Sequence, residues 1–204
     1  MKPTLLALFL AAVATLPAAP FEGRINLQRA TVPDEPHDLI YRVKGDRNRV
    51  EVMRDRVTTF LTDTTTGKTT VILEDDMAYL ILPSFEASRD GPILEKTGEK
   101  DALLGYPVQK YVVGSDEGTT ELWLAEGFEK PPGHVPGVDV PLPPDPAPWE
   151  WALMGQPLFP LRVVTRDDSG RETFRLEART IVPQPLHDRL FLPSSTYRKV
   201  ETWP

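Results

Sequence analysis

Three histidines and two adjacent serines are the side chains of this sequence best suited to catalysis or metal binding. His37, His134 and His187 fall in three separate loops, each within two residues of a proline. Because no two of them have the spacing that places paired ligands on one helix face, they do not predict a zinc centre. Ser194 and Ser195 lack the G-x-S-x-G turn that exposes a hydrolase nucleophile. A hydrolase is therefore not predicted.

Acidic residues occur in pairs, but in stretches typical of turns: Asp75 with Asp76, Asp116 with Glu117, and Asp167 with Asp168. Calcium takes six or more oxygen ligands, and none of these stretches has the spacing of a calcium loop. Cysteine is absent, which removes disulfides, thiolate nucleophiles and zinc sites built on sulfur. We therefore predict no enzyme activity, no metal and no cofactor.

The stretch YRVKGDRNRVEV, residues 41–52, gathers basic and acidic side chains around one glycine. Either it is a cluster with a chemical role or it is a hairpin turn. We favour a turn from Lys44 to Arg47, with Gly45 or Asp46 taking the positive backbone angle. Charges at a hairpin tip are ordinary loop chemistry, so replacing Lys44, Asp46 and Arg47 with alanine is expected to change stability little.

Short apolar runs separated by turn residues predict a mainly β fold. Gly67, Gly118 and Gly170 stand where a type I turn followed by a left-handed residue needs glycine. Residues 73–77, LEDDM, join two further runs without a glycine. Since no long helical period is present, the strands are predicted to form an antiparallel sheet of about nine to ten strands.

Some of these strands are predicted to have one solvent-exposed face, and others are apolar on both faces. Ile25 and Leu27 alternate with polar residues, as do Leu176 and Ala178. By contrast, four segments are apolar at successive positions: residues 70–74, 77–82, 111–113 and 121–125. Something must cover the second face of those strands.

Tyr111 and Trp123 are the centre of the candidate binding surface. If Val113 pairs with Thr119, then Tyr111, Val113 and Trp123 share one face of the sheet, and Leu122 lies on the other. Aromatic rings with a polar tip suit a ligand groove or a partner surface, but they also suit a second small core beneath a helix or loop. The predicted ligand-binding residues are Tyr111, Trp123, Tyr79, Trp149 and Trp151.

A proline-rich arm, residues 131–148, lies between the last strands. Its spaced aliphatic residues predict an extended chain that lies on the sheet, although a ligand for a proline-recognising domain is an alternative. A short helix is expected next, with Asp145 as N-cap, Pro146 as its first residue and Gly155 beyond its end. We predict that arm and helix form a lid.

The start of the chain is typical of a secretory signal peptide, assigned to residues 1–19. Lys2 precedes an apolar run from Leu5 to Val13, which is shorter than the roughly 20 residues of a membrane-spanning helix. Small residues allow cleavage after Ala14 to Ala19, and residues 20–204 then form a single domain. The formal charge of −7 disfavours nucleic acid as a partner. A periplasmic or secreted protein without stable membrane insertion is expected.

The order of several segments resembles an uncharacterised family of exported bacterial domains in the superfamily of periplasmic lipoprotein carriers, which is LolA/LolB-like. These segments are YRVKGDRNRVEV, TDTTTGKTTVILEDDMAYLIL, LLGYPVQKYVV, TTELWLA, GQPLFPLRV and LFLPSSTYRKV. The resemblance implies a strongly curved antiparallel sheet, an open half-barrel, with a short lid over its concave face. It implies no catalytic residues. The proline-rich arm stands where the family often has a helical segment.

Fold and resemblance together predict a non-catalytic binding or carrier module for a hydrophobic ligand, such as an acyl chain, a lipoprotein or an apolar peptide. The alternative is a structural or regulatory interaction domain of the cell envelope, with an envelope protein as its partner and no ligand cavity. The oligomeric state is not predicted. A continuous apolar cavity of several hundred cubic ångströms would favour the carrier.

Overall fold

The structure is a computed structural model that describes residues 21–82, 91–116, 118–128 and 146–201. The predicted signal peptide and most of the proline-rich arm lie outside these ranges. The described strands are β1 (Gly23–Thr31), β2 (His37–Lys44), β3 (Arg47–Met53), β4 (Val57–Asp63), β5 (Lys68–Leu73), β6 (Ala78–Leu82), β7 (Glu95–Leu103), β8 (Tyr106–Ser115), β9 (Gly118–Ala125), β10 (Phe159–Arg166), β11 (Glu172–Pro183) and β12 (Arg198–Val200). One α-helix, α1 (Pro148–Leu153), and one 3-10 helix (Asp188–Phe191) complete the described elements.

All twelve described strands belong to one curved sheet that does not close, which confirms the predicted mainly β class. Two antiparallel meanders, β1 to β6 and β7 to β11, meet where β1 pairs with β11. The last strand, β12, adds to the β6 edge and runs parallel to it. The order across the sheet is β12-β6-β5-β4-β3-β2-β1-β11-β10-β9-β8-β7.

The predicted number of nine to ten strands was too low, since the described part of the chain contains twelve. β7 was missed because its sequence, EKTGEKDAL, is polar almost throughout and has no apolar alternation. A strand at a sheet edge needs none, and its charges discourage pairing with another chain. β12 was missed because it has only three residues.

Hairpin turns lie where glycines predicted them. Gly45, Gly67, Gly118 and Gly170 all have positive φ angles, a conformation that glycine adopts without a steric cost. At Gly118 a side chain would also collide with the carbonyl oxygen of Arg166. The glycine-free turn after β5 places Met77 in the left-handed region instead.

The inner face of the sheet is the side that carries Ile25, Leu27 and Val50, and it holds the main hydrophobic core. Ile25 and Leu27 of β1, and Leu176 and Ala178 of β11, are buried, as their alternation predicted. The opposite side is called the outer face. Leu61 and Ile72 are also buried but are not part of the main core.

A C-terminal strap, residues 184–197, crosses the outer face from β2 and β3 to β6. Glu22 anchors its start, since the carboxylate accepts a hydrogen bond from Leu186 N at 2.6 Å. Phe191 is buried in the strap beneath the guanidinium of Arg47, 5.4 Å from the ring centroid. At the far end Arg198 N donates to the carbonyl oxygen of Met77. The strap therefore covers strands whose second face the sequence left open.

The charged β2–β3 turn binds this strap, so the prediction that its charges are merely solvated is wrong. Lys44 Nζ donates to the carbonyl oxygen of Leu186 at 2.6 Å and pairs with Asp188 at 2.9 Å. Arg47 also pairs with Asp188 at 2.9 Å. The hairpin itself was predicted correctly, because Lys44 pairs with Arg47 across Gly45 and Asp46.

The helix α1 begins two residues later than predicted, at Pro148 rather than Pro146. Proline in a helix interior lacks the N–H of the backbone ladder and holds the preceding residue extended. Ala147 is accordingly extended and serves as N-cap, while the Glu150 carboxylate accepts a hydrogen bond from Ala147 N at 2.9 Å. Gly155 lies just beyond the helix, as predicted.

Candidate functional site

Cross-strand pairing arranges the inner face of β8 to β1 in two neighbouring rows. One row runs through Tyr111, Leu122, Val163, Leu176 and Arg29, from β8 across β9, β10 and β11 to β1. The next row, closer to the rim of the sheet, runs through Val113, Thr120, Thr165, Phe174 and Thr31. The inner face therefore changes from apolar to hydroxyl-bearing and cationic at this rim.

The helix α1 covers this part of the inner face. Trp149 and Leu153 are buried in the main core, and the Trp149 ring lies 5.8 Å from that of Phe174. One turn of helix suffices because Trp149 and Leu153 are four residues apart and so project from the same side. The helix thus closes the rim over the second row.

Between α1 and the rim lies a pocket of about 270 Å³, which we call the rim pocket. Its walls combine two aromatic rings with hydroxyl groups, one guanidinium and one carboxylate. The lining residues are Arg29, Thr31, Val32, Ser115, Thr120, Ala147, Pro148, Trp149, Glu150, Thr165, Thr173 and Phe174. The volume is slightly below the roughly 300–1,000 Å³ of typical ligand pockets, and the lining is more polar than the apolar cavity that was expected of a carrier.

Arg29 is the cation of the rim pocket. Its Cζ atom lies 5.2 Å from the centroid of the Phe174 ring, which is a cation–π contact. Its Nε is buried and has no hydrogen-bond partner among the described residues. A buried donor without a partner costs about 1–3 kcal/mol, so such groups call for an explanation.

The charges of Arg29 and Glu150 both act on Tyr41, which is buried on the inner face. Burial raises the pKa of the Tyr41 hydroxyl, Glu150 raises it further, and Arg29 opposes the rise. The Tyr41 ring also meets the Phe159 ring edge-on at 5.6 Å. Tyr41 therefore stays neutral at physiological pH and cannot act as a base there.

The five residues predicted to bind ligand do not share one surface. Tyr111 and Trp149 are buried on the inner face, and Tyr111 lies in the first row. Trp123 and Tyr79 lie on the outer face, since Trp123 pairs with Lys110 and Tyr79 pairs with Ile72. Trp151 is partly buried on α1. The structure therefore places Tyr111 and Trp149 in the same inner-face core, of which only Trp149 lines the rim pocket, and places Trp123 and Tyr79 on the other face.

The predicted pairing of Val113 with Thr119 is wrong by one residue. Val113 pairs with Thr120, because Ser115 pairs with Gly118 and leaves two residues in the turn instead of three. A shift of one residue moves every side chain of a strand to the other face. For this reason Trp123 and Tyr111 lie on different faces of the sheet. Trp123 is only partly buried, and Lys110 Nζ lies 5.7 Å from its ring centroid.

A second cavity, the outer groove, lies on the outer face at the end of β3, β4 and β5, with a volume of about 760 Å³. Glu51 at its wall accepts a hydrogen bond from Arg49 Nε at 2.7 Å and forms an ion pair with Arg42 at 2.7 Å. Burial raises the pKa of Glu51, but these two guanidinium groups outweigh burial and hold it below its usual range. The lining residues are Arg49, Glu51, Met53, Asp55, Arg56, Val57, Thr58, Thr59, Ile72, Leu73, Glu74, Asp75 and Asp76.

Several of the residues considered for catalysis have structural partners, and His134 lies outside the described residues. His187 Nδ1 accepts a hydrogen bond from Arg189 N and so caps the 3-10 helix. The Asp167 carboxylate accepts bonds from Ser169 and Arg171 within its own turn. Within the described ranges, no three His, Asp or Glu side chains are placed to hold a metal ion.

Arg29, Phe174 and the threonines of the rim were not predicted as site residues. A usable signal was present, since Ile25 and Leu27 set an alternation that places Arg29 on the inner face. Thr120 continues the alternation of Leu122 and Leu124 in the same way. Polar side chains that interrupt an inward-facing apolar series mark the rim pocket.

Solved structures that match this chain come from proteins of low sequence identity. An uncharacterized conserved protein from Thermus thermophilus is 13% identical, with 88% of this chain and 91% of that chain covered and a TM-score of 0.51. PNGF-II is 14% identical, with 89% of this chain and 31% of that chain covered and a TM-score of 0.54. A LolA superfamily protein from Nitrosomonas europaea is 13% identical, with coverages of 87% and 91% and a TM-score of 0.38.

No curated protein matches the chain. No helix in the described ranges has the length and apolar character needed to cross a membrane. The expected resemblance to a family of uncharacterised domains is confirmed. Residues 21–132, which are more than half of the sequence, match the family described as a domain of unknown function, DUF4412, and the chain therefore belongs to that family.

Proposed function

We propose that this protein is an exported, non-catalytic binding module that takes a hydrophobic ligand, an acyl chain or an apolar peptide, between the inner face of its sheet and α1. The observation that carries the proposal is the rim pocket. It opens beside a helix that inserts Trp149 into the core, at the place where the apolar inner face turns polar. Ligand sites are concave and set polar groups beside aromatic side chains, and the rim pocket sets Arg29 and several hydroxyl groups beside the Trp149 and Phe174 rings.

Ligand entry requires α1 to move away from the sheet. The helix has only six residues and is held by the Trp149 and Leu153 side chains and by its own capping contact from Glu150. Short helices in water are marginal without tertiary packing, so α1 is held in place by the docked Trp149 and Leu153 side chains, and ligand contacts must replace that packing when α1 moves. The proline-rich arm that precedes it is proposed as the other half of this lid.

Native mass spectrometry of protein purified from its own host tests the proposal most directly. A co-purified lipid or apolar peptide is the expected result. A second measurement uses Nile red, a neutral hydrophobic dye, with the intact protein and with a variant in which residues 131–145 are replaced by a short Gly/Ser linker. This replacement leaves Pro148 and the start of α1 in place.

Stronger dye binding by the linker variant, with an unchanged far-UV spectrum, is expected for a lid. Equal dye binding by both proteins, together with cleavage of the arm at the rate of an unfolded peptide, would show that the arm is a tether. Absence of any co-purified ligand and of dye binding by either protein would refute the carrier function.

A structural or regulatory interaction domain is the second candidate, and the outer groove is the observation that favours it. Exposed apolar side chains, such as Met53 and Val57, lie in this groove beside polar ones, and exposed apolar groups rimmed by polar residues mark interaction sites. This candidate predicts an empty protein by native mass spectrometry and loss of a specific envelope partner on substitution of Met53 or Val57.

Export is proposed from the first 19 residues. Periplasmic or secreted material should begin between residues 15 and 20, the positions that follow Ala14 to Ala19. N-terminal sequencing of protein recovered from the periplasm or medium measures this. An intact Met1 on such material would contradict cleavage.

A further inference from the structure

We propose that the rim pocket recognises an anionic group, a carboxylate or a phosphate, through Arg29. The inference rests on the proposed function, since the anion is the head group of an amphiphile whose chain follows the inner face. It assigns a ligand class, an anionic amphiphile, to a site that the fold alone leaves open.

The position of Arg29 is the first argument. Arg29 follows Leu27 in the inward-facing series of β1, and its neighbour across β11 is the buried Leu176. Arg29 thus stands at a position where the series otherwise has aliphatic side chains. Its Nε remains buried without a hydrogen-bond partner among the described residues. A carboxylate or phosphate oxygen in the pocket would accept that bond, because planar guanidinium groups match both anions.

The hydroxyl groups of the second row are the next argument. Thr120 Oγ1 and Thr165 Oγ1 are 2.9 Å apart, so one donates to the other. The hydroxyl that accepts this bond keeps its own proton and can donate it to a ligand oxygen. Arg29 and the threonine pair are therefore separate donors lining one pocket.

Glu150 is the carboxylate that also lines the pocket, and it opposes an anion. Its Oε2 atom accepts the hydrogen bond from Ala147 N at 2.9 Å, which directs the carboxylate toward the start of α1. The Phe174 ring lies next to both the Arg29 guanidinium and the Trp149 ring, and Trp149 belongs to the main core. A head group at Arg29 would therefore lead its chain past these rings to the inner face.

Two ligands of equal chain length test the inference: dodecanoate, which is ionised at pH 8, and dodecanol, which is neutral. Butyrate serves as a carboxylate with almost no chain. Binding is followed by tryptophan fluorescence, since Trp149 lines the pocket. We expect the intact protein to bind dodecanoate about tenfold more tightly than dodecanol, as a charge-assisted pair would give, and butyrate only weakly.

Four variants locate the effect. Arg29→Gln should weaken dodecanoate binding about tenfold and leave dodecanol unchanged, and Arg29→Lys should retain part of the affinity. Glu150→Gln, which can keep the capping contact, should strengthen dodecanoate binding about threefold by removing a like charge. Arg24→Gln is the matched control. The Arg24 Nε is also buried without a described partner, but Arg24 pairs with Arg42 on the outward side of the same strand and does not line the rim pocket, so its replacement should leave dodecanoate binding unchanged.

The outcomes separate the inference from the function on which it rests. Equal affinity for dodecanoate and dodecanol, with Arg29→Gln without effect, overturns the anion site and leaves the carrier standing. Butyrate binding as tight as dodecanoate binding, and lost in Arg29→Gln, supports the anion site and overturns the carrier. Failure of all three ligands to bind the folded intact protein overturns both.

Discussion

Replacing Phe191 with alanine tests whether the C-terminal strap is part of the folded core. The Phe191 side chain is 6% exposed and lies under the Arg47 guanidinium. Burial of a large aromatic side chain makes its truncation cost about 3–5 kcal/mol. Since folded domains are stable by only about 5–15 kcal/mol, the variant should unfold at a clearly lower urea concentration than the intact protein.

Leu192→Ala is the matched control, because the next residue is 59% exposed. A surface truncation of this kind should stay within about 0.5 kcal/mol. Urea unfolding followed by tryptophan fluorescence gives both free energies, and hydrogen exchange shows whether β6 and β12 lose protection with Phe191. If Phe191→Ala and Leu192→Ala cost the same, the strap is not packed as described and the outer face has another cover.

Three further predictions concern separate parts of the molecule. Glu51→Gln should cost about 1–2 kcal/mol at pH 7, because it leaves Arg42 and Arg49 without their carboxylate on a face that solvent partly screens. Because the folded pKa of Glu51 is lowered, its contribution to stability is present above its ordinary pKa of about 4.3 and is lost as pH falls through the folded value. Urea titrations at pH 7 and pH 3 should therefore show the stability difference between the two proteins shrinking in acid, and a constant difference would argue against this ion pair. Trp149→Ala should lower the free energy of unfolding by about 3–5 kcal/mol and Trp151→Ala by clearly less, since only Trp149 is buried in the core. Chemical denaturation measures both, and equal losses would mean that α1 does not dock through Trp149. Asp188→Asn should make residues 184–197 more sensitive to limited proteolysis at pH 7, because it removes the carboxylate shared by Lys44 and Arg47. Because those two cations lower the pKa of Asp188, the protease sensitivity of the intact protein should approach that of the variant only in acid.

Local patterns predicted the hairpins of this fold well. Gly45 marks the β2–β3 turn, and the alternation around Ile25 and Leu176 marks strands with one buried face. These signals depend on residues close together in sequence, where backbone preference and side-chain period act directly.

Properties that depend on distant residues or on turn length were predicted less well. The stretch SDEG fits both a two-residue and a three-residue turn, and the choice decides whether Trp123 faces inward. The pairing of Lys44 with Asp188 joins two surface charges from distant parts of the chain, and nothing near either residue indicates it. Arg29 could have been found, because it interrupts an apolar series, but its lack of a partner is visible only in the structure.

The pairing of β1 with β11 has a consequence for how the chain folds. Gly23 pairs with Pro183 and Thr31 with Phe174, so the seam between the two meanders joins the beginning of the domain to its end. Hairpins within each meander can form early, whereas this seam must await closure of a loop that contains most of the chain. Until then β1 exposes an unpaired edge with an apolar face, which is the kind of edge on which chains associate wrongly. Slow folding, on the scale of milliseconds to seconds, and a need for protection of the N-terminal meander before β11 arrives follow from this topology.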